Sequence, residues 1–421
     1  MRRYGCLLKG IIVMQHVTNQ QKLKPWMGFV LFAFVMLVFV FVCGPMQSAW
    51  RLWGLIATEA VFLVIAIAYG LIFRIPLKEM FPIKKFKARD FFGSLFLTVG
   101  GTLIGLVSIA VVGILIPSSL ESSDVQAISE YTAGSAGYLL TMFAMALMPA
   151  ICEEAIQRGA IIANFRTIKK DWIIVLIMGL FFGIFHLSVL RFINTAIMGA
   201  CLSYIVVKKN NMLLSCLMHF TINFVSSSLS VILNLMQGSN GTGEAASAAA
   251  FTVETMKAAL GTYLIMGFAA PIFIVIGLML LNPESHKKIR FLFAGIAAFL
   301  MFAGGIAVTA LNSTGANTLV KTNISYLVDA ENTEALPLDF SLEEEGTCTV
   351  AVVVTNAEGN YNVKIAKKNG EVVSNAPVST GALRMYTTQI ELEPGDYELI
   401  IVNCDGTINE KPMISVQINK N

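Results

Sequence analysis

Long apolar runs, separated by short polar segments, dominate the first three quarters of the chain. A helix needs about 20 apolar residues to cross the hydrocarbon core of a bilayer, and most of the runs are about that long or longer. They lie near residues 26–44, 52–73, 91–116, 136–163, 172–190, 192–207, 212–234, 260–282 and 291–311. The pattern predicts a polytopic α-helical membrane bundle of about nine transmembrane helices, in which the fifth and sixth are joined tightly around Arg191.

The pattern changes near residue 312, where short alternating segments replace the long apolar runs. Alternation of apolar and polar positions over a few residues is typical of half-buried strands. Such segments lie at 350–355, 361–366, 385–392, 397–402 and 414–418, and Asn369-Gly370 predicts a hairpin turn between two strands. Residues 312–421 are therefore predicted to form a small antiparallel β-sandwich. Because this region contains no histidine, partner binding or shielding is favoured over catalysis there.

Composition excludes an ordinary soluble protein. The chain is 56% hydrophobic and only 14% charged, with a mean hydropathy of +0.70, whereas soluble domains are about one quarter charged. Lysine and arginine collect in alternate loops, as they do in cytoplasmic segments of membrane proteins. This asymmetry predicts a cytoplasmic N-terminal segment (1–25), a transmembrane domain (26–311) and an extracytoplasmic β region. An external β-sandwich on such a protein favours a bacterial plasma membrane.

The basic linker at 81–90 is predicted to contact anionic lipid headgroups, and a nucleic-acid partner is not expected. The β region is a candidate for binding an extracellular partner. Cys348 and Cys404 both lie in that region, and spacing alone leaves open whether they form a disulfide.

Charged residues stand out in the fourth apolar run, which contains Glu153, Glu154 and Arg158. A charged side chain at the centre of a bilayer costs about 2.5 to 3.5 kcal/mol, so such residues usually face the interior of a bundle and have a function. Glu154 and Arg158 are four residues apart and are predicted to pair on one helical face. Glu153 points about 100° away. Pro149 is predicted to kink the helix one turn earlier.

Two later runs each contain a histidine. Phe182 and His186 share one helical face, and His219 and Asn223 share another. At about 1.5 Å per residue, Glu153 and His186 come out about 20 Å deep and His219 about 12 Å deep. This count predicts that Glu153 and His186 meet, whereas His219 reaches them only with helix tilt.

Each group also has a structural interpretation. The acidic and basic residues could form an ion pair that holds helices together, and a histidine in a membrane is commonly an interhelical hydrogen-bond partner. Glu59, in the second run, is interpreted as a structural carboxylate. A purely structural role is disfavoured for the main set because three successive apolar segments each supply reactive polar groups.

Together, Glu153-Glu154-x-x-x-Arg158, Phe182-x-x-x-His186 and His219-x-x-x-Asn223 resemble the three signature motifs of the CPBP family of intramembrane proteases. This family includes the CAAX prenyl endopeptidases and proteins linked to bacteriocin processing and abortive infection. The resemblance covers about residues 140–225, within a CPBP-like core at about 91–311. It implies an endopeptidase that acts on a membrane-associated or lipidated peptide or protein.

The resemblance also implies roles for single residues. Glu153 would be the general base, and His186 would share the attacking water with it. His219 and Asn223 would stabilise the oxyanion. Glu154 with Arg158 would order the helix and contact substrate, and Phe182 would line the pocket.

The sequence leaves the cofactor open. Glu153, His186 and His219 are candidate zinc ligands, and the family is commonly labelled as metalloproteases. A metal-free glutamate mechanism fits the same residues and is slightly preferred. Two functions of other classes compete with proteolysis, namely a proton-coupled transporter or channel and a catalytically silent scaffold with an external binding domain. The absence of inverted repeats disfavours the transporter.

Overall fold

A computed structural model of the protein describes residues 23–121, 137–236, 253–285, 288–315, 317–325, 337–355, 360–378, 384–404 and 413–420. Most of the predicted N-terminal segment lies outside these residues. The chain divides into two compact units, Met1–Val231 with Ala250–Thr309, and Ile232–Ala249 with Ala310–Asn421.

The first unit is helical. Its helices are α1 (Pro25–Trp50), α2 (Leu52–Ile72), α3 (Ala88–Leu115), α4 (Tyr138–Ile161), α5 (Asp171–Phe185), α6 (Phe192–Lys209), α7 (Met212–Met236, whose last turn belongs to the second unit), α8 (Val253–Gly267), α9 (Ala270–Leu281) and α10 (Ile289–Gly315, whose last turn also belongs to the second unit). Single helical turns lie at Leu77–Met80, Pro117–Glu121 and Pro283–Ser285.

The described helices correct the prediction of nine transmembrane spans. Seven of them are long and apolar enough to cross a membrane, and α8 with α9, bent by 43°, would make an eighth. The remaining predicted span, α5, has 15 residues and is about 22 Å long at 1.5 Å per residue. The predicted apolar run, 172–190, is longer than the helix because Leu187 and Leu190, in the connection to α6, are also apolar.

Small residues allow close packing in this bundle. A Cβ atom on Gly100 would lie 3.0 Å from the Ala270 carbonyl oxygen of α9, and one on Gly101 would lie 2.8 Å from the Cys201 sulfur of α6. α5 and α6 form an antiparallel pair in which Gly179 and Gly183 face the backbone of α6. This pairing holds the α5 histidine close to α6.

The second unit contains two four-stranded antiparallel sheets, which confirms the predicted antiparallel β region. The strands are β1 (Asn317–Ser325), β2 (Leu338–Leu342), β3 (Gly346–Thr355), β4 (Tyr361–Lys367), β5 (Val372–Pro377), β6 (Arg384–Leu392), β7 (Gly395–Asn403) and β8 (Met413–Lys420). Their orders are β1-β8-β3-β6 and β2-β7-β4-β5. Buried side chains of both sheets form one hydrophobic cluster.

Two local predictions in this unit have different outcomes. β4 and β5 form the predicted hairpin, and their connection uses a positive φ of 90° at Gly370. Cys348 and Cys404 do not form a disulfide. Cys348 is buried within β3, Cys404 is exposed just after β7, and both thiols are free.

Candidate active site

Helix α4 presents the acidic pair between two π-helical turns. Its α-helical segment Met148–Glu154 follows a π-helical turn at Phe143–Leu147 and precedes another at Ala155–Ile161. Pro149 lies inside α4, directly after the first π-helical turn, and as a proline it donates no backbone hydrogen bond there. π-Helical turns are uncommon and occur frequently at functional sites. The local backbone is therefore unusual where Glu153 and Glu154 lie.

Glu154 and Arg158 form the predicted ion pair. Arg158 Nη1 donates to Glu154 Oε1 at 2.7 Å, and both side chains are 0% exposed. The rest of the guanidinium is also satisfied, because Nη2 donates to the Gly199 carbonyl at 3.1 Å and Nε to Ser203 Oγ at 3.4 Å. A buried ion pair survives only when its remaining donors and acceptors are satisfied in this way.

The same carboxylate holds helix α7. His219 Nδ1 lies 3.0 Å from Glu154 Oε1, and Ser215 Oγ donates a short hydrogen bond to Glu154 Oε2. The ionised carboxylate of Glu154 can accept hydrogen bonds but cannot donate them. We therefore place a proton on Nδ1 of His219, which donates it to Glu154. Glu154 therefore connects α4 to α7 and fixes the orientation of the His219 ring.

Glu153 lies on the other side of this imidazole. His219 Nε2 is 3.9 Å from Glu153 Oε2, which is buried and has no hydrogen-bond partner among the described residues. The depth count placed His219 about 8 Å nearer the cytoplasm and required helix tilt for the two side chains to approach; in the structure they do approach this closely. A separation of 3.9 Å is too long for a direct hydrogen bond, so this carboxylate oxygen keeps its lone pairs.

His186 ends helix α5. Its Nδ1 donates to the Phe182 carbonyl at 2.8 Å, so in the neutral ring Nε2 is an acceptor. Among the described residues, the hydrogen bonds and ion pairs of His186 do not include Glu153. The direct meeting of these two side chains that the depth count predicted is therefore wrong.

Phe182 lies at the centre of the cluster. Its ring centroid is 4.7 Å from the His186 ring and 5.7 Å from the His219 ring, in edge-to-face geometry with both. Its face lies 4.4 Å from the guanidinium carbon of Arg158, within the range of a cation–π interaction. One aromatic side chain thus contacts all three motifs.

Asn223 lies one turn beyond His219 on α7 and is half-buried. Its carboxamide has no hydrogen-bond partner among the described residues, whereas its backbone carbonyl accepts a bond from Ser226 Oγ. Its carboxamide keeps its hydrogen-bonding capacity for a ligand.

Three further residues hold the Glu154–Arg158 pair in place and lie outside the sequence motifs, namely Ser215, Ser203 and Gly199. Ser215 precedes His219 by four residues, Ser203 follows Gly199 by four, and both serines are fully buried. The two serines could have been found from the sequence, because each is a small polar residue one helical turn from another residue of the site and on the same helical face. Gly199 gives no sequence signal, because its carbonyl is what binds Arg158.

Gly199→Ala tests this packing. A Cβ atom there would lie 2.4 Å from Phe182 Cβ and 3.0 Å from its Cγ, so the phenyl ring must move. Overpacking of this kind costs about 1 to 3 kcal/mol, and we expect lower thermal stability together with at least a tenfold loss of any hydrolytic activity. Gly295→Ala is the matched control, since a Cβ atom there meets nothing within 4 Å. Equal behaviour of the two variants would contradict the described position of Phe182.

The proposed zinc ligands do not form a three-donor group. Among the described residues, no set of three or more His, Cys, Asp or Glu side chains could hold a metal ion. Nδ1 of His219 is engaged by Glu154, and His186 does not contact Glu153. Since a catalytic zinc site needs three converging protein ligands, this arrangement does not fit the metal.

Comparison with known families supports the motif assignment. Residues 135–225 match the family described as Type II CAAX prenyl endopeptidase Rce1-like. This match includes all three motifs and confirms the family resemblance predicted from them. No curated protein matches the chain.

Proposed function

We propose, on the premise that residues 135–225 belong to the CAAX prenyl endopeptidase family, that the protein hydrolyses a peptide bond of a membrane-associated substrate by a metal-free, glutamate-dependent mechanism. The observation that carries this proposal is the unpartnered Glu153 carboxylate facing His219 Nε2 at 3.9 Å. A general base needs an available lone pair, which Glu153 Oε2 offers here, and the mechanism places the attacking water beside it.

The attack begins with water between Glu153 and the histidines. Glu153 takes one proton of the water while His186 Nε2 accepts the other hydrogen in a hydrogen bond. The water oxygen bonds to the carbonyl carbon of the scissile peptide, and the carbonyl becomes an oxyanion. Collapse of this intermediate breaks the C–N bond, and the proton on Glu153 passes to the leaving amine. Atoms and charge balance, and Glu153 returns to its carboxylate form.

The oxyanion is stabilised from helix α7. Asn223 donates through its amide, and His219 donates through Nε2. Because Nδ1 of His219 already donates to Glu154, donation from Nε2 requires a second ring proton, so the proposal places an imidazolium here during turnover. Glu154 with Arg158 positions His219 and does not take a proton from the water. Donors preorganised in a dry site are worth several kcal/mol to such a transition state.

The substrate class follows from the family name and the membrane location. We propose a lipidated peptide with a C-terminal Cys-aliphatic-aliphatic-X sequence as the first probe. The N-terminus is proposed to be cytoplasmic, and the β region extracytoplasmic with a binding partner of its own.

The test uses the full chain in liposomes with a farnesylated fluorogenic peptide of that sequence, the same peptide without farnesyl, and an unrelated transmembrane peptide. We expect hydrolysis of the farnesylated peptide, little of the other two, and no effect of a zinc chelator. His219→Ala should lose at least a hundredfold in kcat/KM. No cleavage of any probe, or equal cleavage by His219→Ala, would overturn the proposed function, and inhibition by the chelator would overturn the metal-free mechanism.

A further inference from the structure

A second buried carboxylic acid lies on helix α2, outside the segment that matches the family. Glu59 is 2% exposed, and its Oε2 atom is buried with no hydrogen-bond partner among the described residues. An unpartnered carboxyl group in an apolar bundle is costly, and such a group in a native structure calls for an explanation.

Helix packing brings this group to the proposed catalytic base. α2 packs along α4 at Met148–Glu154 and Ala155–Ile161. Glu59 interacts electrostatically with Glu153, and the Cys152 thiol lies within electrostatic range of both carboxyl groups. Glu153 Oε2 is likewise buried and unpartnered among the described residues. Two orphan carboxyl oxygens thus lie on adjacent helices and interact with each other.

The charges around the two groups differ. Side chains in electrostatic range of Glu59 are Glu153, Cys43 and Cys152, and those in range of Glu153 are His219, Arg158, Arg191, Glu154, Glu59 and Cys152. Three side chains with cationic or protonatable nitrogens therefore lie near Glu153, whereas the groups in range of Glu59 are all carboxyl or thiol groups. Two adjacent buried carboxyl groups do not both ionise readily. The nitrogen groups near Glu153 favour its ionised form, which leaves Glu59 as the neutral member of the pair.

We propose that Glu59 is a positioning residue for the reaction, a neutral carboxylic acid that donates a hydrogen bond to the Glu153 carboxylate, directly or through one water molecule. This bond satisfies both orphan oxygens. It also keeps Glu153 ionised and aims its free lone pairs at the attacking water. The inference rests on the proposed function, since it assigns a partner to the proposed base.

Three variants of the full chain test this role with the farnesylated peptide in liposomes. Glu59→Gln keeps a neutral donor, and we expect kcat within about threefold of wild type. Glu59→Met keeps the volume without the donor, and we expect kcat to fall at least tenfold with KM unchanged. Because the substitution leaves the buried Glu153 oxygen without its donor, we expect a modest fall in thermal stability, and kcat is measured per folded protein. Thr58→Val is the control, a buried polar neighbour on the same helix, and should behave like wild type.

The pH dependence of kcat/KM supplies a readout that a packing role would not move. A hydrogen bond donated to a carboxylate favours its ionised form. Loss of the donor in Glu59→Met should therefore shift the acidic limb of the profile to higher pH, while Glu59→Gln leaves it in place. Full activity of Glu59→Met, or equal loss in both Glu59 variants, would overturn the inference. If Glu153→Gln is also fully active, the proposed function fails as well, whereas an inactive Glu153→Gln confines the failure to Glu59.

Discussion

Glu153→Gln should reduce peptide hydrolysis by about 10²- to 10⁴-fold, the range that a general base contributes. The amide is nearly isosteric with the carboxylate but cannot take a proton from water. Glu153 Oε2 has no hydrogen-bond partner among the described residues, and the carboxamide oxygen of Gln still accepts the bond proposed from Glu59, so the substitution removes little that stabilises the bundle. We expect the loss in kcat, with KM for the farnesylated peptide little changed and the thermal unfolding temperature equal to wild type or higher.

The neighbouring position provides the matched comparison. Glu154→Gln makes the same chemical change one residue later, where the carboxylate binds Arg158, His219 and Ser215. It should therefore lower stability and activity together, whereas Glu153→Gln lowers activity alone. Glu284→Gln, on an exposed 3₁₀ turn, serves as the neutral control. Comparable activity of Glu153→Gln and Glu284→Gln would remove Glu153 from the mechanism.

Short-range features of the site could be predicted from the sequence, because they depend on one helix. The pairing of Glu154 with Arg158 follows from their spacing of four residues, and the structure contains this ion pair. The contact between His219 and the acidic pair could not be derived in this way. It depends on where α7 begins and how it packs on α4, and neither quantity is encoded in spacing along a single helix.

The lengths of the elements show the same limit. An apolar run predicts burial or lipid contact, but it does not mark where a helix ends. The α5 run continues through Leu187, which has a positive φ of 50°, and the helix ends at Phe185. In the β region, β1 and β5 were missed because their apolar and polar alternation is weak, and β2 was missed although its five residues alternate. The strands with clear alternation, such as β4 and β7, were predicted within about two residues.

Loss of the Arg158 guanidinium should be the most damaging single change to stability. Arg158→Leu leaves the fully buried Glu154 carboxylate without its cation, and breaking one partner of a buried ion pair typically costs about 3 to 5 kcal/mol. It also removes the bonds to Gly199 and Ser203 and the contact with Phe182. Unfolding in mixed detergent micelles, followed by circular dichroism, measures the free energy directly.

A double-mutant cycle separates the ion pair from the other contacts of Arg158. Combining Arg158→Leu with Glu154→Gln removes both charges, so the double variant should be less destabilised than the sum of the two single variants. Lys208→Met is the comparison, because it breaks the 2.6 Å ion pair with Asp171 at 25% and 45% side-chain exposure. Partly exposed pairs contribute about 0 to 1 kcal/mol. If Arg158→Leu cost no more than Lys208→Met, the guanidinium would have to be hydrated, and Glu154 could not then be the fixed support that holds His219 toward Glu153.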